Sequence, residues 1–500
     1  MGLSRTILAE ECAVASEHPL ASLAGYDVLR AGGNAFDAAV ATSYSLAVAF
    51  HPAGGLGGDF FGMFYEAKSG KVLCLNSSGW APSGLDLALI DSRAGGKVPQ
   101  FGPMSVSVPG MVAGVSSMHS KLGSMEFRGL LASAQRLAKD GFPASPALCR
   151  SVALNYDGLS AEARKVFAPS GKPTSPGETV RQPALAEVIS AVAEGGPSAF
   201  YSGPPAESIS ATLSSLGVSC PPSDFRDFSP EWVDPLTLDY RGTTVYEVPP
   251  NSMGATSLLI LHALLREDLS RHGALSPERA RLTADAALLA YGRRDQLLGD
   301  PRFTDFDLDD FLSSGADSPQ PTTRVRSGDT TAFSIADKGG NMVSGIQSLF
   351  SHFGSRVFVP DCGIALNNRA SGFSTSGPNS VGPRKRPLHT LSSLILERGG
   401  APYLAIGASG GDYRPMQHAL FVTNSVDYSM SADANVAHPR VLWTGGRSLI
   451  VEEGFGLPAG YDCERLPMPG RTGVCQAVEV RPGYRMGVCD VRGDGVPAGF

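Results

Sequence analysis

The sequence predicts an α+β fold, with two mainly antiparallel sheets face to face between two helical layers in a four-layer αββα sandwich. Two observations lead there. Strand patterns come as neighbours across short turns, at 60–66 with 71–76, at 236–239 with 243–248 and at 328–336 with 342–348, which is hairpin and hence antiparallel spacing. Helical patterns separate these pairs, most of all across about 103–216, so strands from both ends of the chain are sandwiched between helices.

Composition bounds the class. The chain has 500 residues, 42% hydrophobic and 18% charged, which is ample for a large core in a soluble globular protein. Its 41 basic and 48 acidic residues give a net charge of −7, a balance that suggests neither nucleic acid nor an anionic membrane as partner. The eight cysteines are scattered without a CxxC pair, so no metal, no cofactor and no disulfide scaffold is expected. Residues 1–6 lack the apolar core of a secretory signal, which points to the cytoplasm, and their match to a myristoylation pattern is of a kind met by chance. The most apolar stretch, 35–50, is too short to span a bilayer and contains Asp37, so it reads as a core helix.

From the N-terminus, Glu17-His18-Pro19 leads into a helix ending near Gly32-Gly33, and Asn34 caps the apolar helix that follows. The run His51-Pro52-Ala53-Gly54-Gly55-Leu56-Gly57-Gly58 precedes a strand instead of following one. That order is the reverse of a phosphate-binding loop, so the glycines read as close backbone packing beside a sheet. Pro249-Pro250-Asn251-Ser252-Met253-Gly254 opens a helix to about Leu265, and another helix covers about 286–298. Beyond residue 330 the chain is strand-rich, with strands at 392–396 and 403–406. A helix at about 415–428 follows the turn Gly407-Ala408-Ser409-Gly410-Gly411-Asp412.

One junction carries chemistry. Residues 313–323 are polar and proline-containing, and a flexible linker at about 313–329 runs into Asp329-Thr330 at the start of a core strand. That is what self-cleavage needs. The Thr330 hydroxyl attacks the preceding carbonyl, the peptide becomes an ester, and water frees a chain beginning at Thr330. The new terminus then holds nucleophile and base in one residue, because an α-amine titrating near ~7.7–8.0 is partly neutral at physiological pH. Taken alone, Asp-Thr-Thr at a strand start is also ordinary β-strand chemistry.

The order Asp329-Thr330-Thr331, Asp337, Gly340-Asn341, Ser348, Phe353-Gly354-Ser355 and Gly363-Ile364-Ala365-Leu366-Asn367-Asn368 resembles the γ-glutamyltranspeptidase family of N-terminal-nucleophile hydrolases. The resemblance extends over nearly the whole chain, through the stretch 31–41 with its glycine loop, the Tyr240-Arg241-Gly242 hairpin, Gly299-Asp300-Pro301 and the tail from Asp490 to Phe500. It implies a large segment 1–329 and a small segment 330–500 that together form one domain after cleavage at Asp329/Thr330, with pairing into dimers left open. It also implies Thr330 as nucleophile, Ser348 as the hydroxyl that supports it, and Gly410-Gly411 as N–H donors to the developing oxyanion. Read without the resemblance, Ser348 is equally a strand residue and Gly410-Gly411 a turn.

On the substrate side the chain departs from the pattern. Transpeptidases hold a γ-glutamyl carboxylate with an arginine and two serines, and its amine with an acid and an asparagine. The matching positions here are Ser78 for the arginine, His389-Thr390 for the serines, Gly372 for the acid and Phe350 for the asparagine. At about 1.5–3 kcal/mol per charged hydrogen bond, little γ-glutamyl selectivity is expected to remain. The remaining groups are more similar to the amidase and acylase branches, such as oxamate amidohydrolases and β-lactam-side-chain acylases. Phe350 then makes the pocket more apolar, while Arg369, His389 and Arg386 can meet a carboxylate, and each of these also reads as structural. The expected partner is a small-molecule amide. A γ-glutamyl hydrolase or transferase acting on glutathione-like compounds, and an uncleaved binding relative, are the alternatives.

Overall fold

The computed structural model describes residues 4–313 and 328–500. The interval 314–327, and with it most of the expected linker, lies outside the described residues, as do Met1, Gly2 and Leu3. The described residues form two seven-stranded antiparallel sheets, as the strand pairs predict. In one sheet the spatial order is Ala498–Gly499, Ala13–Ser16, Asp329–Ala336, Met342–Phe350, Asp59–Glu66, Lys71–Ser77 and Glu231–Val233. In the other it is Ser4–Ala9, Tyr484–Asp490, Cys475–Arg481, Ala401–Ala408, Ser393–Arg398, Thr243–Glu247 and Leu236–Tyr240.

Period-two alternation divides the central strand between two cores. Ala332 and Ala336 point into the layer between the sheets, with Phe61, Met63, Ile346, Ile395 and Val478. Phe333 and Ile335 point the other way, into a core shared with the helices Pro19–Arg30, Ala35–Ala49 and Met111–Leu122. The second sheet is covered by Gly254–Leu264, Pro277–Leu297 and Arg414–Val426. Small residues let the sheets approach: a methyl on Gly407 would lie 2.8 Å from the Ala332 Cβ. Polar groups caught between the sheets are satisfied across the gap, Ser334 Oγ donating to the Gln476 carbonyl (3.1 Å) and Ser344 Oγ to that of Ile406 (2.7 Å).

The buried Ala35–Ala49 helix anchors the hairpin of Asp329–Ala336 and Met342–Phe350. Asn34 and Asp37 form a reciprocal capping box. The Ala35 N–H donates to Asp337 Oδ2 at 2.8 Å, and Asp337 also accepts from the Asn341 N–H (2.9 Å) in the turn after the central strand. The glycine run is a short helix, His51–Gly54, and a turn packed tightly on this hairpin. A methyl on Gly54 would meet Thr331 Cγ2 at 2.4 Å, and one on Gly58 would meet the Ser348 carbonyl at 2.4 Å.

Two differences from the sequence reading have local causes. The helix expected at 286–298 begins at Pro277, where the Ser276 side chain accepts from the Arg279 N–H. Its first turns bury Arg279 against Thr423 and Asn424, which breaks the apolar rhythm by which a helix is read. The strands Ser4–Ala9 and Ala13–Ser16 were not anticipated, being short and rich in small or polar residues. No helix among the described residues is long and apolar enough to cross a membrane.

Candidate active site

Thr330 sits where the central ladder skips. Asp329 pairs with Phe350 but Thr331 pairs with Gln347, so a β-bulge falls on the junction singled out by the sequence. Bulges of this kind re-aim a side chain out of regular register. The Thr330 hydroxyl lies 3.2 Å from Ser348 Oγ, in a buried setting. Ser348 Oγ donates to the Asp329 carbonyl at 3.0 Å and accepts from the Phe350 N–H at 2.7 Å. The structure therefore brings Asp329, Thr330 and Ser348 together.

Gly410 and Gly411, with φ of 133° and 60°, form the turn between the Ala401–Ala408 strand and the Arg414–Val426 helix. A side chain in either conformation would be strained, which is why glycines occupy it. Gly410 lines a cavity of about 350 Å³ together with Asp329, Thr330, His352 and Glu17. Burial pushes the Glu17 carboxyl well above the usual range, and Asp329 adds to the effect. Burial lowers the His352 imidazole, while Asp329 opposes it.

A second cavity, about 520 Å³, is lined by Phe350, Arg369, Gly372, Thr390 and Asp412 among others. Gly328 stands beside its wall, between Gly411 and the Phe350 ring. The Arg369 guanidinium lies 4.4 Å from the centre of the Phe350 ring and donates to Thr390 Oγ1 at 2.9 Å. Its Nε is 3.5 Å from Asp59 Oδ2.

The other expected substrate contacts lie off this cavity. Fully buried His389 accepts from the Leu391 N–H at Nδ1 (3.2 Å), so its proton is on Nε2, which donates to Asp59 Oδ2 (2.9 Å). Burial, then the nearby Arg369 charge, lower its pKa to about 3 and hold the ring neutral. Arg386 is buried against Glu231 (2.6 Å), and its Nε donates to the Ser78 carbonyl (3.1 Å). Ser78 Oγ donates to Asn76 Oδ1 at 2.7 Å. These three side chains face carboxylates, carbonyls and amides of the protein itself, and of the proposed carboxylate partners Arg369 alone reaches the cavity wall. Asp59, which organises Arg369 and His389, and His352 were not singled out by sequence. Both lie inside otherwise ordinary loop and strand text, and only their long-range partners distinguish them.

Two antiparallel sheets between helical layers, with a threonine opening a central strand beside a glycine turn, constitute the fold of the N-terminal-nucleophile hydrolases. The cephalosporin acylase from Bacillus halodurans superposes with a TM-score of 0.92 at 30% identity, over 99% of this chain and 97% of that one. The family described as Gamma-glutamyltranspeptidase matches residues 21–500. The glutathione hydrolase-like YwrD proenzyme of Bacillus subtilis (strain 168) is 33% identical over 533 aligned positions that cover all of both chains. The oxamate amidohydrolase proenzyme of Klebsiella pneumoniae subsp. pneumoniae is 28% identical, over 97% of each. The chain belongs to the gamma-glutamyltranspeptidase family, a family of amide-bond hydrolases and transferases.

Proposed function

We propose that this protein is a threonine amidohydrolase or acylase that matures by cutting itself between Asp329 and Thr330. The observation that carries the reading is the position of Ser348 Oγ, 3.2 Å from the Thr330 hydroxyl and 3.0 Å from the carbonyl of Asp329. A hydroxyl donates once and accepts twice. With its proton on the Asp329 carbonyl, Ser348 accepts from the Phe350 N–H and from the Thr330 hydroxyl. That arrangement polarises the carbonyl to be attacked and draws the proton off the attacking oxygen.

Once Thr330 is a terminus, its α-amine takes the hydroxyl proton as Oγ1 attacks a substrate carbonyl. The Gly410-Gly411 N–H groups then face the oxyanion, at on the order of 10²–10³ in rate for such a donor. The amine product leaves with the proton, and water releases the acid from Thr330. The two segments stay together because their strands alternate in one sheet: Asp329–Ala336 pairs with Ala13–Ser16, and Met342–Phe350 pairs with Asp59–Glu66.

For the acyl group, Arg369 above the Phe350 ring favours a short chain ending in a carboxylate. The relative named for oxamate, an amide of a carboxylate-bearing acyl group, supports the same reading, and the one named for cephalosporin acylase supports an acylase. A γ-glutamyl substrate is the second reading, favoured by the glutathione hydrolase-like relative.

Intact mass of the wild type beside Thr330→Ala tests the mechanism. Two pieces meeting at Asp329/Thr330 in the wild type alone are expected. One uncut chain in both would remove the mechanism and leave a binding relative. Anilides of γ-glutamyl, neutral acyl and carboxy-acyl groups then test the substrate, and a preference for the γ-glutamyl compound would replace the first reading with the second.

A further inference from the structure

Ser348 accounts for the carbonyl of Asp329 but not for its side chain. Two groups of His352 meet that carboxylate. Nδ1 lies 3.2 Å from Oδ2, and the His352 N–H donates to the same oxygen at 3.3 Å. His352 is itself held. Its ring stands edge-on to Phe50 at 5.9 Å, the Ser351 N–H donates to Asn368 Oδ1 (3.0 Å), and the Phe353 N–H donates to the Pro52 carbonyl (2.8 Å). Phe350 and Phe353 adopt φ of 79° and 60°, a left-handed conformation that costs an aromatic residue energy and that clusters at functional sites. These two bends fold the end of the Met342–Phe350 strand back over residue 329. On the other side, Gly328 is wedged so closely that a methyl would lie 3.0 Å from Gly411 Cα and 3.2 Å from the Phe350 ring.

Resting on the self-cleavage reading, we infer that His352 is a positioning residue for maturation, clamping the Asp329 carboxylate so that the carbonyl carbon stays in front of Thr330 Oγ1. The bulge makes such a clamp necessary. The scissile peptide lies where the ladder loses register, so regular pairing does not orient it. Intramolecular attack depends steeply on that orientation. In the step itself, a bond forms from Thr330 Oγ1 to the Asp329 carbonyl carbon and the C–N bond to Thr330 breaks. The hydroxyl proton ends on the Thr330 amine. Water then splits the ester, and Asp329 departs as a C-terminal residue, so the clamp serves cleavage and not turnover.

The test is the first-order rate of fragment appearance, read by intact mass, for wild type, Asp329→Ala, His352→Ala and the double variant. Each single change is expected to slow cleavage about tenfold or more, the effect of one charge-assisted hydrogen bond. The double variant is expected to be no slower than Asp329→Ala, because that change already removes both contacts with His352, including the ring contact that His352→Ala removes. His352→Asn, whose amide nitrogen can stand in for Nδ1, is expected to recover part of the rate. The Asp329 side chain is 47% exposed, so its removal tests the clamp without emptying a core position. Slowing in the double variant by the product of the singles would make His352 a packing residue on Phe50 and overturn the inference, as would wild-type rates in either single. An uncut wild-type chain would overturn the self-cleavage reading together with the clamp, whereas a cut wild type with an unaffected His352→Ala would overturn the clamp alone.

Discussion

Asp59 shows how much one side chain can organise. Its Oδ1 accepts from the Gly79 N–H at 2.6 Å, and its Oδ2 faces both His389 Nε2 and Arg369 Nε. Asp59→Asn would turn an amide N–H₂ or a neutral carbonyl toward two buried donors, one of them cationic. Removing one partner of a buried pair costs about 3–5 kcal/mol, and denaturant titration is expected to show a loss of that size. A change below about 1 kcal/mol would mean that Arg369 does not depend on Asp59 for its charge balance. Arg369 carries a separate prediction at the substrate. Arg369→Met keeps the stem over Phe350 and removes the charge, so the kcat/KM ratio of carboxy-acyl to neutral acyl anilides should fall about 10- to 100-fold, the effect of one charged hydrogen bond. An unchanged ratio would place the carboxylate elsewhere. Thr330 was legible as a candidate from local text, a strand start after a polar stretch, and Ser348 through the family resemblance, its hairpin strand then bringing it within 3.2 Å of Thr330. Asp59, His352 and the burial of His389 were not, because each depends on contacts with residues far away in the chain, such as the 330 positions between Asp59 and His389.

At the scale of elements, the glycine turn and the Asp329–Ala336 strand are made for one another. The Gly54 position leaves no space for a methyl, which would sit 2.4 Å from Thr331 Cγ2 and 3.1 Å from Gln347 Nε2. Gln347 in turn donates to the Gly54 carbonyl at 2.6 Å, tying the turn to the strand. Gly54→Ala is therefore expected to overpack this contact at a cost of about 1–3 kcal/mol. Thr331→Ser removes the offending methyl, and the Gly54→Ala/Thr331→Ser pair should recover most of the lost melting temperature. Failure to recover would assign the cost to the backbone instead of to Thr331. The sequence order of glycines before a strand sufficed to separate this turn from a phosphate loop, since the physics of such a loop requires a helix after it. Capping chemistry at Asn34 likewise located the Ala35–Ala49 helix within a residue. The same logic failed at Ser276-Pro277, where the start signal was present but buried arginines masked the helix behind it.

Over the whole molecule, hairpins could be read from neighbouring strands, but the order of strands in each sheet could not, because it joins Ala13–Ser16 to Asp329–Ala336 and Ser4–Ala9 to Tyr484–Asp490 across most of the chain. What this long-range assembly buries sets the pH response of the fold. His18, His51 and His438 are lowered to about 4, and His389 to about 3, in each case mainly by burial. In the unfolded chain such groups titrate near ~6.5. Between these values the unfolded state binds the proton and the folded state does not, so stability is fully present above about pH 6.5 and is lost as pH falls toward 4. Each group adds up to about 1.4 kcal/mol per pH unit to that slope. Glu17, raised by burial, has the opposite sign, its cost growing as pH rises above the ordinary carboxyl range, so it offsets part of the slope. His438 isolates one contribution: its Nδ1 lies 2.7 Å from the Pro439 carbonyl and must carry the proton there, which leaves Nε2 to take the second one inside the core. His438→Asn keeps a donor near Nδ1 and removes the titration. Urea midpoints from pH 7.5 to 4.5 are expected to fall less steeply in this variant, by about 1 kcal/mol per pH unit, with little difference at the alkaline end. Parallel curves would show that His438 titrates alike in the folded and unfolded chains, and that the acid response comes from the other lowered histidines, His352 and His262 included.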